Sequence, residues 1–339
     1  MPIPASPIRE FIGADPGNLP DEVLDSPDPL VLRGAVAHWP MVEAARSSPR
    51  DAIDYLHRFA RPDAPPVVAT VGPPEIRGRF FYNESVDGFN FRQEKVPLRV
   101  ALDTLRKYLD QEAPPAIYVA STTIDTWLPG FRAHNELQFG GREPLASIWF
   151  GNRTRIAAHQ DAPDNLACVV AGRRRVTLFP PAQLANLYIG PLDFNPAGQA
   201  ISLVDFAAPD FSRFPKFAEA LQHAQATELA PGDAVFIPSM WWHHMEALES
   251  FNVLINYWWR QSPAWMDTPM NALMLAMMTV RDLPAHQREI WQDVFRHYVF
   301  EADDATSAHI PEHARKVLSP LDETRARELR ARLLQRLNR

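Results

Sequence analysis

Between residues 116 and 259 the chain is built from apolar runs of four to eight residues, each closed by turn-forming residues. The runs fall at 117–120, 147–150, 165–170, 175–179, 233–237 and 252–258. Strands this short, with no long helical pattern alternating between them, exclude a sheet wound by crossover helices. They predict an antiparallel barrel or sandwich. The stretch 180–233 interrupts the series as a long insertion, with a helix expected near 214–224.

The flanks read differently. A short strand is expected at 30–32. Helical spacing covers 41–60 and 97–112, where Leu98, Leu102, Leu105 and Leu109 form an apolar stripe behind Pro97, a residue suited to the helix start. Residues 65–91 mix prolines with Phe80, Phe81, Tyr82, Phe89 and Phe91 and read as strand and loop. From 265 onward the pattern turns helical. Met266, Met270, Met274, Met277 and Met278 recur on one helical face, which either packs on the domain's own core or supports self-association. Ser319 to Asp322 resembles a capping box ahead of the stripe Leu329, Leu333 and Leu337. The expected division is therefore 1–264, with the β core at about 116–260, and a helical region 265–339.

The formal charge of −7 argues against nucleic acid or an anionic membrane as partner. The single cysteine, Cys168, rules out an intrachain disulfide and every cysteine-rich zinc motif. No apolar run reaches the ~18 residues of a membrane span, and residues 1–10 lack the basic and apolar parts of a signal peptide. A soluble, cytoplasmic protein is expected.

Two places carry chemistry. In Ala158-His159-Gln160-Asp161, strand alternation would aim the His159 imidazole and the Asp161 carboxylate to one side. The block from Pro231 to Pro238, followed by Trp241-Trp242-His243-His244, reads as turn, apolar strand, tight turn and a histidine heading the next strand. Two histidines and a carboxylate on one side of a metal leave positions open for non-haem Fe(II) oxygen chemistry. A closed zinc site would want four protein ligands. The chain contains no Gly-x-Ser-x-Gly elbow, phosphate-binding loop or His-Glu-x-x-His.

These motifs, with Gly172 through Leu178-Phe179-Pro180-Pro181, Asn256-Tyr257-Trp258 and the opening Pro29 to Gly34, resemble the cupin-like JmjC oxygenases. Within them the pattern is most similar to the asparaginyl-hydroxylase type called factor inhibiting HIF. The resemblance runs from about residue 28 to 260. It implies a double-stranded β-helix, Fe(II), 2-oxoglutarate and O2, and hydroxylation of an unactivated C–H bond. Matched by position, the iron ligands would be His159, Asp161 and His243, with His244 as runner-up for the third. The co-substrate carboxylate would meet Arg174, where the related hydroxylase has lysine. Alternation sends Arg174 inward with Val176 and Leu178, and Arg175 outward with Thr177; three solvated arginines on an edge strand are the other reading. Tyr118, Asn165 and Asn256 would complete the co-substrate pocket, and Ile156 stands where the relative has a threonine donor. Trp258, Phe81 and Tyr82 are placed on the substrate side. The substrate leans towards a protein side chain, with a small molecule as rival, and a non-catalytic metal-binding module is the alternative function. The relative also implies a homodimer through the C-terminal helices.

Overall fold

Strand alternation decides this architecture, because the central strands bury both of their faces. The structure, a computed structural model, describes residues 3–338 apart from 14, 16, 17 and 197. The strands run β1 (Ser6–Pro7), β2 (Leu30–Leu32), β3 (Val67–Gly72), β4 (Arg79–Phe80), β5 (Arg92–Val96), β6 (Ala116–Thr123) and β7 (Leu145–Gly151). They continue as β8 (Arg155–His159), β9 (Asp164–Ala171), β10 (Arg174–Phe179), β11 (Gln225–Leu229), β12 (Ala234–Ile237), β13 (Trp242–Ala247) and β14 (Asn252–Trp259).

They form a six-stranded sheet, β1-β11-β10-β13-β8-β4, and an eight-stranded sheet, β2-β12-β9-β14-β7-β6-β3-β5. Apart from β1–β11 and β4–β8, all the strand pairs are antiparallel. The chain steps between sheets from β8 to β9 and again from β12 to β13, as the expected double-stranded β-helix requires.

The parity of each strand sorts its side chains. On β9, Ala167 and Val169 join Val176 and Leu178 of β10, Val235 and Ile237 of β12 and Met245 of β13 in a core between the sheets. The alternate residues Leu166, Cys168 and Val170 face outward onto a larger core. That core is closed by α1 (Asp21–Leu24), α2 (Pro40–Ser47), α3 (Pro49–Phe59), α4 (Leu98–Tyr108) and α5 (Ile124–Trp127). Across the other sheet, Ala158, Phe179 and Trp242 pack with Phe206, Phe214 and Phe217, the last on α6 (Phe217–Gln222). The insertion is thus a second layer on the six-stranded sheet.

Several local expectations change. The helix expected over 41–60 is two helices: Ser48 is extended, and its hydroxyl accepts from Asp51 N at 3.0 Å to cap α3 just before Pro49. Residues 225–229, inside the expected insertion, are β11, paired with β10.

The chain divides into two compact units, 1–260 and 261–339. The second contains α7 (Pro269–Thr279), α8 (Ala285–Phe295) and α9 (Glu323–Leu337). The cap of α9 is Asp322, whose carboxylate accepts from Arg325 N at 2.9 Å, rather than Ser319. Among the described residues no helix is long and apolar enough to cross a membrane.

Candidate metal centre and its cavity

His159 ends β8 and His243 is the second residue of β13; the two are register partners across the ladder. Their ring centroids lie 4.1 Å apart. Asp161 is not on the strand as alternation predicts but in the turn leaving β8, which still brings its Oδ2 to 3.5 Å from His243 Nε2. One ligand atom from each of the three residues lies within 4.8 Å of the others.

The tautomers follow from the backbone. His159 Nδ1 lies 2.9 Å from Ala157 O and His243 Nδ1 lies 3.1 Å from Trp241 O. A carbonyl oxygen only accepts, so each Nδ1 carries the hydrogen and the neutral ring's lone pair sits on Nε2. His243 Nε2 faces a carboxylate oxygen, and a metal ion placed between them would bind both. Burial lowers the His159 pKa to about 4, helped by the neighbouring His243, so the ring is neutral at pH 7. Burial pushes Asp161 upward, but the facing imidazole of His243, with that of His159, outweighs it and holds the carboxyl at about 2. Two imidazoles and one carboxylate suit a divalent metal of intermediate softness and leave coordination positions open.

His244 is not part of this group. The ladder between β13 and β8 shifts register between His243 and Met245. His244 is instead buried on the opposite side against Phe206, 4.7 Å between ring centroids. Burial, with Arg155 as the next contributor, lowers its pKa to about 3.

The triad opens into a cavity of about 480 Å³. Arg174, Tyr118, Asn165, Asn256 and Trp258 line the same space, as does Ile156. Arg174 is buried, and neither its Nε nor its Nη2 has a hydrogen-bond partner. Its neighbours behave oppositely: Arg173 pairs with Glu228 and Glu249, and Arg175 with Glu228 and Glu246. The solvated-arginine reading therefore holds for those two and fails for Arg174. Burial raises the Tyr118 pKa to about 12, so its phenol is a neutral donor. Asn256 Oδ1 accepts from Trp149 Nε1 at 2.6 Å, and Asn256 Nδ2 donates to Asn165 Oδ1 at 3.3 Å, which ties three wall residues together.

Phe81 and Tyr82 are not among the lining residues. Phe81 lies under the Arg79 guanidinium, and Tyr82 donates its hydroxyl to Phe194 O at 2.6 Å within a separate aromatic cluster. Phe80 and Phe91 line the cavity instead, together with Trp149, a residue that alternation against Ile148 and Phe150 places on the inner face. The Cys168 thiol is fully buried, and burial pushes its pKa up; it is a core residue.

A family model described as the cupin-like domain matches residues 16–264. The chain belongs to the cupin-like family. It is 27% identical over 250 residues to lysine-specific demethylase 8 of Xenopus tropicalis, covering 70% of this chain and 49% of that protein. It is 35% identical over 121 residues to lysine-specific demethylase JMJ31 of Arabidopsis thaliana, covering 35% of this chain and 22% of the relative. Against the tRNA wybutosine-synthesizing protein 5 of Gallus gallus the identity is 36% over 110 residues, 32% of this chain and 31% of the relative. The match spans about half or less of each of these relatives. The cupin-like, JmjC-type resemblance is borne out; the narrower asparaginyl-hydroxylase likeness rests on the sequence motifs alone.

Proposed function

We propose that the chain is an Fe(II)- and 2-oxoglutarate-dependent dioxygenase that hydroxylates an unactivated C–H bond. The observation that carries this reading is the coincidence, in one cavity, of the His159–Asp161–His243 triad with the buried guanidinium of Arg174, whose Nε and Nη2 have no partner. A metal-dependent isomerase or an enzyme using O2 alone has no need of that cation. When bound, Fe(II) with 2-oxoglutarate and O2 supplies oxidation of the target bond, with succinate and CO2 released.

His159, Asp161 and His243 would hold the metal. Arg174 would neutralise the distal carboxylate of the co-substrate, with the Tyr118 hydroxyl donating beside it, and a charged acceptor suits such a buried donor best. Asn165 and Asn256 are held by their mutual hydrogen bond to complete that wall. Phe80, Phe91, Trp149 and Trp258 give the remaining space an apolar, aromatic lining that excludes water and orients the target. The substrate proposed is a protein side chain, in keeping with relatives whose names specify lysine-directed demethylases. A cytoplasmic homodimer formed through the C-terminal helices belongs to the same proposal.

The test is succinate release from 2-oxoglutarate under Fe(II) and O2 by the wild type, His159→Ala and Arg174→Met, joined to mass spectrometry of lysate proteins and metabolites for a gain of one oxygen atom. Release and a mass gain that both need His159 and Arg174 are expected. Tight Fe(II) binding without succinate across the lysate would instead mark a metal-binding module.

A further inference from the structure

Asp161 and His243 are tied to two different crossings between the sheets. Residues 160–163 carry the chain from β8 to β9, from the six-stranded sheet to the eight-stranded one. Residues 238–241 carry it back, from β12 to β13. No strand ladder holds Asp161, because it lies beyond the end of β8.

Four hydrogen bonds lace the two crossings together. Met240 N donates to Asp161 O at 2.9 Å, and Gln160 Nε2 donates to Met240 O at 2.6 Å. Ser239 Oγ donates to Ala162 O at 2.7 Å, and Ser239 N donates to Asp164 Oδ1 at 2.9 Å. Met240, whose amide and carbonyl are both used here, has φ +66°, a conformation that residues other than glycine rarely adopt. Its side chain is exposed, so packing of that side chain does not enforce the conformation.

From this we infer that Gln160 and Ser239 are positioning residues for the metal centre, locking the two crossings so that the Asp161 carboxylate already faces both imidazoles before an ion arrives. A ligand carried on a free turn would have to be ordered at the moment of binding, which weakens affinity; a preorganised one does not. The inference rests on the metal-binding reading above. Gln160, Ser239 and Asp164 clamp with their side chains, and of these Gln160 and Ser239 supply the side-chain donors. Removing those two donors leaves the Met240 and Ser239 amide bonds, and with them the fold.

The experiment uses Co(II), stable in air, titrated into the full chain and into Gln160→Met, Ser239→Ala, the double variant and Ser239→Thr. Gln160→Met keeps the side-chain length without the donor. The double variant is expected to bind Co(II) roughly ten- to hundredfold more weakly, the range for loss of groups that orient metal ligands. Its Co(II) absorption bands should move, while the urea midpoint of the metal-free protein stays at the wild-type value. Ser239→Thr keeps the hydroxyl and should bind like wild type. Wild-type affinity in the double variant overturns the inference, as does a metal-free urea midpoint that falls in step with affinity. A wild type that binds no Co(II), or binds it equally after His159→Ala, is a different result: it removes the metal site itself and the inference with it.

Discussion

At position 174 a guanidinium is 2% exposed, and its Nε and Nη2 have no partner. Taking a cation out of water without a counter-charge costs several kcal/mol, and an apolar replacement of similar volume at a buried ionic site is often neutral or stabilising, by about 1–4 kcal/mol. Arg174→Met is therefore expected to leave the metal-free protein as stable or up to about 4 kcal/mol more stable in urea denaturation, while abolishing 2-oxoglutarate binding in calorimetry. Loss of stability together with retained binding would contradict the proposed role. The adjacent histidines give a second residue-scale prediction. His243→Ala removes one of three ligand atoms and should abolish stoichiometric Co(II) binding. His244→Ala removes a ring packed on Phe206 on the far side of the strand and should leave that binding intact. Similar losses in both variants would mean that the strand does not separate the two rings.

At the scale of the element, the β9–β10 connection delivers Arg174, and Gly172 sits in it with φ +68°. A Cβ there would lie 2.3 Å from Asn252 Oδ1 and 2.6 Å from Phe251 O, and the second of these is backbone that cannot swing aside. The left-handed conformation costs an L residue roughly 1–2 kcal/mol, and overpacking typically adds 1–3. Gly172→Ala should lower stability by about 2–5 kcal/mol in equilibrium unfolding, and an effect under about 1 would show that the turn can rearrange. Elements such as this one were legible in the sequence. Period-two alternation located the core strands and sent Arg174 inward and Arg175 outward, because both cores demand apolar side chains of opposite parity on β10. What alternation did not reach depends on contacts between distant segments. The turn position of Asp161, the lacing of residues 160–164 to 239–240 and the pairing of β11 with β10 have no local pattern. Of the aromatic segment, Phe80 and Phe91 line the cavity and Phe81 and Tyr82 do not, and a two-residue strand offers too short a repeat for the sequence to sort them.

For the whole molecule, the C-terminal unit raises a problem of burial. A helix that is apolar all round is ordinarily interior. Yet α7, with the sequence PMNALMLAMMT, has no buried residue, and Leu273, Met274 and Met278 are exposed. Neither α8 nor α9 has a buried residue either, and Ile290, Trp291, Leu334 and Leu337 are exposed along them. Fully burying one such side chain contributes about 1.5–3 kcal/mol, so a surface of this kind gains most from a partner of the same chemistry. Methionine, unbranched and adaptable, suits a face that must meet its own copy across a twofold axis. Under the proposed dimer, the wild type should run at twice the chain mass of 38.4 kDa in light scattering. Met274→Glu with Met278→Glu would place charges in the contact and should give a folded monomer whose circular dichroism retains the wild-type strand signal. A wild type that stays at one chain mass at high concentration removes the dimer from the proposal, and leaves the metal centre, built wholly within residues 1–260, untouched.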